Sequence, residues 1–213
     1  FGQVKLYVPR GNYKMVAIAA ATDTPSKDNK VSIKSKTEVV FPKNVVTDMF
    51  YTYQDIAVKD REESQNYDCI LKRGVTVLQL NCRQEPCPDY MKSFKYTITG
   101  NCGNVFNPST GHCLQKTTLT RIYDISGDQL TGKRFFFSIY FFLGKDDVTD
   151  IQLTTQSIDT EDKVVKNLSF ENVHMVKGKR TTYKGPFLTT HSSASFIIDS
   201  PTIPDSGFST EFE

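Results

Sequence analysis

Apolar residues recur at every second position along this chain, and nowhere do they settle into helical spacing. Val4, Leu6 and Val8 share one phase, as do Tyr13, Met15, Ala17 and Ala19. The same alternation returns at Val31 and Ile33, Val39 and Phe41, Phe94, Tyr96 and Ile98, Ile151 and Leu153, Leu168 and Phe170, and Phe196 and Ile198. A period of two puts those side chains on one face of a strand, whereas a helix needs apolar residues at i, i+3, i+4 and i+7. No such stripe persists for three turns, so the chain is expected to be all-β, with many short strands folded into antiparallel sandwiches. Composition agrees: 15 Phe and 10 Tyr without a Trp suit half-buried pleated surfaces.

Turn signals divide the strands. Gly11-Asn12 predicts a hairpin joining 4–8 to 13–19. The run from Lys59 to Asn66 reads as a solvated turn, Asn101 to Gly111 as a polar loop, and Ser200 to Gly207 as a loop or tail. Near the middle the phase changes. Cys69, Leu71, Val75 and Val77 are in step, but Leu78, Leu80 and Cys82 fall on the opposite phase. A one-residue shift sends every side chain to the other face, so the strand is expected to bulge or change sheets, with Gly74 the tolerant position. The expected boundary therefore lies near residue 74, giving domains 1–74 and 75–213. Later, Phe135, Phe137, Ile139 and Phe141 alternate with Phe136, Tyr140 and Phe142. A strand apolar on both faces is normally central, and Phe137, Ile139 and Phe141 are expected in the core of the second domain.

Charge and motif content narrow the chemistry. With 26 basic against 24 acidic residues in 213 and a net charge of +2, no global field favours nucleic acid. The most apolar run, Phe135 to Leu143, is about half of the ~20 residues that a bilayer helix requires. No signal peptide is visible. Phe1 opens directly into a strand pattern, which points to a trimmed or processed chain.

Five cysteines lie between Cys69 and Cys113 without the paired spacing of a zinc ribbon. Cys82 and Cys87 are spaced to close a short disulfide loop in an oxidising compartment; the alternative is a set of ordinary thiols. His112, His174 and His191 fall in a loop, at a strand end and in a polar run. His191-Ser192-Ser193 offers no nucleophile elbow. Asp146, Asp147 and Asp150 lack the alternation, turn glycine and closing Glu of a calcium loop. Gly100 to Gly103 has no following Lys-Ser/Thr to cradle phosphate. Lys177-Gly178-Lys179-Arg180 has no interleaved aromatics and reads as an exposed turn. Asn167-Leu168-Ser169 fits a glycosylation sequon. The expectation is no catalysis, no cofactor and no metal.

Five segments, taken in order, resemble the fimbrillin-type fimbrial subunits of Bacteroides-like bacteria. Val4 to Ala17, with Gly11-Asn12-Tyr13 at its centre, resembles the family's opening pair of apolar strands. Asp48-Met49-Phe50-Tyr51 resembles its D-x-F-Y element, and Leu71-Lys72-Arg73-Gly74-Val75 its L-K-R-x-V strand. Thr97 to Gly100 and Asn172 to Thr190 resemble later strands, the last with a basic turn. Two features depart from the pattern: the five cysteines, and His174 where the family often has Pro.

The resemblance implies two tandem transthyretin-like β-sandwich domains, exported as a lipoprotein to the outer membrane surface. It implies a stalk, tip or anchor subunit that assembles with other fimbrial subunits by β-strand exchange. The family carries more β structure ahead of Gly11, so the first domain is expected to be incomplete. Membrane contact would come only through a lipid anchor outside this chain. A cell-surface recognition module for host glycan or protein is the alternative, with Tyr51, Tyr53 and Tyr123 as its candidate aromatics.

Overall fold

A computed structural model describes residues 4–21, 31–41, 45–59, 65–82, 87–125, 136–188 and 197–199. Every regular element among them is a strand. In chain order these are β1 (Gly11–Ala20), β2 (Ser32–Ser35), β3 (Glu38–Val40), β4 (Met49–Val58), β5 (Lys72–Arg73) and β6 (Thr76–Asn81). Then come β7 (Met91–Gly100), β8 (Cys102–Gly103), β9 (Val105–Asn107), β10 (His112–Cys113) and β11 (Leu119–Asp124). The last are β12 (Phe136–Leu143), β13 (Val148–Asp159), β14 (Val164–Val176), β15 (Arg180–Lys184) and β16 (Ile197–Asp199). The all-β expectation holds.

Two sheets make the main sandwich. One runs β11-β7-β13-β14 and the other β16-β15-β6-β12-β8. Between them Leu78, Leu80, Phe137, Ile139 and Phe141 meet Phe94, Ile98, Leu153, Val173 and Met175. Phe94 stacks on Phe137 with ring centres 4.4 Å apart. The three residues of β12 expected in the core are all there. Among the described residues pairing is antiparallel except between β15 and β6, which run parallel.

A smaller core is built from Val39, Phe41, Val46, Met49, Tyr51, Val75, Phe106 and Phe142. Its sheets are β1-β4-β5 and β10-β9-β3-β2. The chain crosses from this core to the larger one between Val75 and Leu78. It then returns, because β9 pairs with β3 (Val39 opposite Phe106). Phe142 packs on Phe106 at 4.7 Å and on Phe41 at 5.7 Å. β12 therefore serves both cores: Phe137, Ile139 and Phe141 enter the larger, while Phe142, with Tyr140 against its margin, enters the smaller.

The structure revises one expectation and decides between the alternatives of another. Residues 4–8 form no strand and no hairpin. Gly11 and Asn12 instead open β1, which lies along β4 from Gly11 opposite Val58 to Ala20 opposite Met49. A full-length ladder against a distant strand outcompetes a short local hairpin, and the Tyr13 hydroxyl donates to the Pro9 carbonyl at 2.7 Å to fix the approach. The phase change at Val77–Leu78 is no bulge either. The register with β12 runs unbroken from Asn81 opposite Phe136 to Thr76 opposite Phe141. β6 reads out of phase because Val77 and Leu78 are both buried, one on each face.

The change of sheet occurs just before β6, at Gly74-Val75. Packing is close there: a Cβ would lie 2.3 Å from Met49 Cε and 3.0 Å from Tyr51 Cδ1, so a larger residue would have to displace the Met49 side chain. Phe135, Phe196, the closing Ser200–Gly207 and most of the 59–66 run fall outside the described residues.

Candidate functional site

Two of the sequence motifs interlock. The Asp48–Tyr51 element opens β4, and the Leu71–Val75 element supplies β5, its short partner, with Phe50 opposite Arg73 and Tyr51 opposite Lys72. Arg73 Nη2 donates to Asp48 Oδ2 at 2.9 Å while its guanidinium lies over the Phe50 ring at 5.1 Å. Lys72 sits over Tyr51 at 5.0 Å. Next to the pair, Gly74 N–H donates to the Met49 carbonyl at 2.9 Å. Burial pushes the Asp48 carboxyl above the ordinary carboxylate range, and the Arg73 charge pulls it back in part.

The basic turn of the third motif closes a second cluster. Residues 177–179 carry the chain from β14 in one sheet to β15 in the other. The Lys177 amide donates to the Asp147 carbonyl at 2.8 Å. Its Nζ lies 3.1 Å from Asp147 Oδ1 and 3.2 Å from His112 Nε2. His112 comes from β10 and Asp147 from the β12–β13 connection, so one ammonium ties the smaller core to two turns of the larger sandwich. Burial, followed by the Lys177 charge, lowers the His112 pKa from its ordinary value. In its neutral form the imidazole can accept from the lysine through Nε2. The three side chains form a clasp across the junction.

The other residues singled out by sequence scatter. Asp150 pairs with His174 at 3.1 Å on the surface, and Asp146 accepts from Asn101 at 3.3 Å. Among the described residues no three His, Cys, Asp or Glu side chains converge as metal ligands. No helix among them is long and apolar enough to cross a membrane. Cys82 and Cys87 are both buried, and residues 83–86 between them lie outside the description, as do His191, Ser192 and Ser193. The Cys87 thiol is pushed up by burial and then by Asp89. Tyr51 is a core residue, Tyr53 is half-buried on β4, and Tyr123 packs against Tyr96 and Phe137 on β11. Those three tyrosines form no exposed aromatic loop.

The sheet margins offer backbone to a partner. β1 and β14 are the longest strands at sheet margins, at 10 and 13 residues. β14 is interrupted by register shifts and by Asn172 at φ 57°. β1 keeps an unbroken register with β4 along its whole length. A long, flat, unbulged edge is a template for another strand, and bulges blunt that tendency. Sequence reasoning placed both strands but missed that they are sheet margins among the described residues, because sheet order depends on distant partners.

A family profile matches residues 6–211, that of a family of unknown function, DUF6562. The chain belongs to that family. No curated protein matches this DUF6562 member. Among solved structures, a candidate adhesin from Bacteroides ovatus ATCC 8483 superposes with a TM-score of 0.49 at 13% identity. That match spans 77% of this chain and 66% of the other, just under two thirds of its length. A second candidate adhesin, from Bacteroides thetaiotaomicron VPI-5482, gives 0.43 at 12% identity over 92% of this chain and 78% of its own.

Proposed function

We propose that this chain is a structural subunit (stalk, tip or anchor) of a bacterial surface fimbria, joined to neighbouring subunits by an added β-strand. The observation that carries the reading is β1, an unbulged edge strand of 10 residues with β4 on one side and no second neighbour among the described residues. Unpaired backbone donors and acceptors at such an edge are satisfied by a strand from a partner. The order of segments resembling fimbrillins supports the same reading, and with it export as a lipoprotein to the outer membrane. No turnover is proposed: His112 and His174, the two described histidines, are held by Lys177 with Asp147 and by Asp150. Electron microscopy and surface shear on cells lacking the gene are expected to show fewer, shorter or more easily detached filaments.

One observation favours recognition of a glycan or host protein instead. On the outward face of the β11-β7-β13-β14 sheet, Thr120 stands opposite Thr97, Thr97 opposite Thr154, and Thr154 opposite Ser169. This hydroxyl row is uncharged, with Thr97 and Thr120 oxygens 3.2 Å apart. Unchanged filaments alongside lost glycan binding would select that function.

A further inference from the structure

The segment leading into β1 has the makings of a strand and is not used as one. Val4, Leu6, Tyr7 and Val8 are 80%, 71%, 86% and 45% exposed. Residues 4–8 make no ladder contact among the described residues, and the edge of β1 away from β4, free among the described residues, begins three residues later. Their phase matches that edge. Val4, Leu6 and Val8 occupy the same alternate positions as Val16, Ile18 and Ala20, whose face borders the smaller core through Ile18 and Ala20.

We propose that the segment Val4–Val8 of a second copy of this chain pairs antiparallel along the free edge of β1, each copy supplying its segment to the other. The proposal rests on the strand-addition reading and names the occupant of that edge.

Side-chain chemistry fixes the register. A slip of one residue would turn Val4, Leu6 and Val8 away from the core-side face. Of the in-phase registers, one sets Val4 opposite Ile18, Leu6 opposite Val16 and Val8 opposite Lys14. It also brings Tyr7 opposite Met15, an aromatic–thioether contact. Arg10 then faces Asn12. Shifting two residues either way puts Arg10 opposite Lys14 or opposite its own copy, and like charges directly opposed are destabilising.

The arrangement is isologous, so it closes as a two-fold pair. Eight apolar side chains at roughly 60–120 Å² each, inferred from transfer energies, together with two lengths of backbone edge, bring the buried area to the order of 1,000 Å². That is the lower bound for a specific contact, and it predicts a weak dimer formed at high concentration.

The experiment is sedimentation equilibrium of the full chain and its Leu6→Asp variant, with hydrogen exchange read at the amides of 4–8. Leu6 is exposed, so the variant keeps the wild-type far-ultraviolet spectrum. The expected result is a concentration-dependent dimer with slowed exchange at 4–8, lost in Leu6→Asp and kept in Leu6→Val. A chain that stays monomeric at near-millimolar concentration, or a dimer indifferent to Leu6→Asp, overturns the proposal. Filaments on cells carrying Leu6→Asp separate the two ideas. If deletion of the gene removes filaments, Leu6→Asp leaves them intact and the wild-type chain forms no dimer, strand addition survives and this occupant does not.

Discussion

Gly111 shows how tightly single positions are specified where the two cores meet. Its φ of +73° lies in the left-handed region, and a Cβ there would sit 2.2 Å from the Tyr51 hydroxyl and 3.0 Å from Lys177 Nζ. Gly111→Ala is expected to cost about 1–3 kcal/mol from backbone strain and overpacking. Urea denaturation measures this, and a loss under about 0.5 kcal/mol would mean the clasp yields freely. Its neighbour His112 makes the junction sensitive to acid. Because the folded pKa lies below the ordinary value of about 6.5, the imidazole is neutral in both states above that pH and its contribution is complete. As pH falls through about 6.5, the unfolded chain binds the proton before the folded chain does. Stability is therefore lost down to the folded pKa. The charges around it are Lys177, which opposes protonation, and Asp147 and Asp146, which favour it. His112→Gln should flatten the stability profile below about pH 6.5, and an unchanged slope would place the acid sensitivity elsewhere. Thiol reactivity should separate just as clearly. Cys69 is exposed, while burial pushes Cys102 up to about 12. Timed alkylation followed by peptide mass mapping is expected to label Cys69 first and Cys102 last.

Among the elements, β12 carries the most consequence and was also the most legible. Its two alternating apolar sets announce a covered strand, and Phe137, Ile139 and Phe141 lie in the larger core as that pattern requires. Phe137→Ala and Phe142→Ala are each expected to cost about 3–5 kcal/mol, although they empty different cores. A loss under about 1 kcal/mol for either would remove that side chain from its core. Other elements were not readable, for physical reasons. Val4–Val8 alternates as well as any strand in the molecule, but alternation reports a preference and not the presence of a partner. The parallel pairing of β15 with β6 and the return of β9 to β3 depend on contacts across many intervening residues, which no local pattern encodes. The clasp was invisible for the same reason: His112, Asp147 and Lys177 each looked like a loop residue, and only the fold brings them together. Gly74 was found by its place in the pattern, yet its cause is close packing against Met49 and not a bulge.

For the whole molecule, sharing of β12 predicts how it comes apart. Neither core can open without disturbing a strand that the other needs, so unfolding should be one cooperative step. With no Trp in the chain, tyrosine fluorescence follows side-chain environment and far-ultraviolet circular dichroism follows the sheets. Their urea transitions are expected to coincide. Two separated transitions would show that the cores melt independently. The same strand limits how the molecule can be cut and recombined. Inserting or deleting one residue within β12 would swap the contents of both cores at once, so sequence drift there is confined to substitution. A hybrid that transplants the smaller core must bring residues 105–113 and Phe142 along with the opening strands. Such a graft takes β12, and with it one wall of the larger sandwich, so exchange between relatives is expected to move both cores as one heritable block.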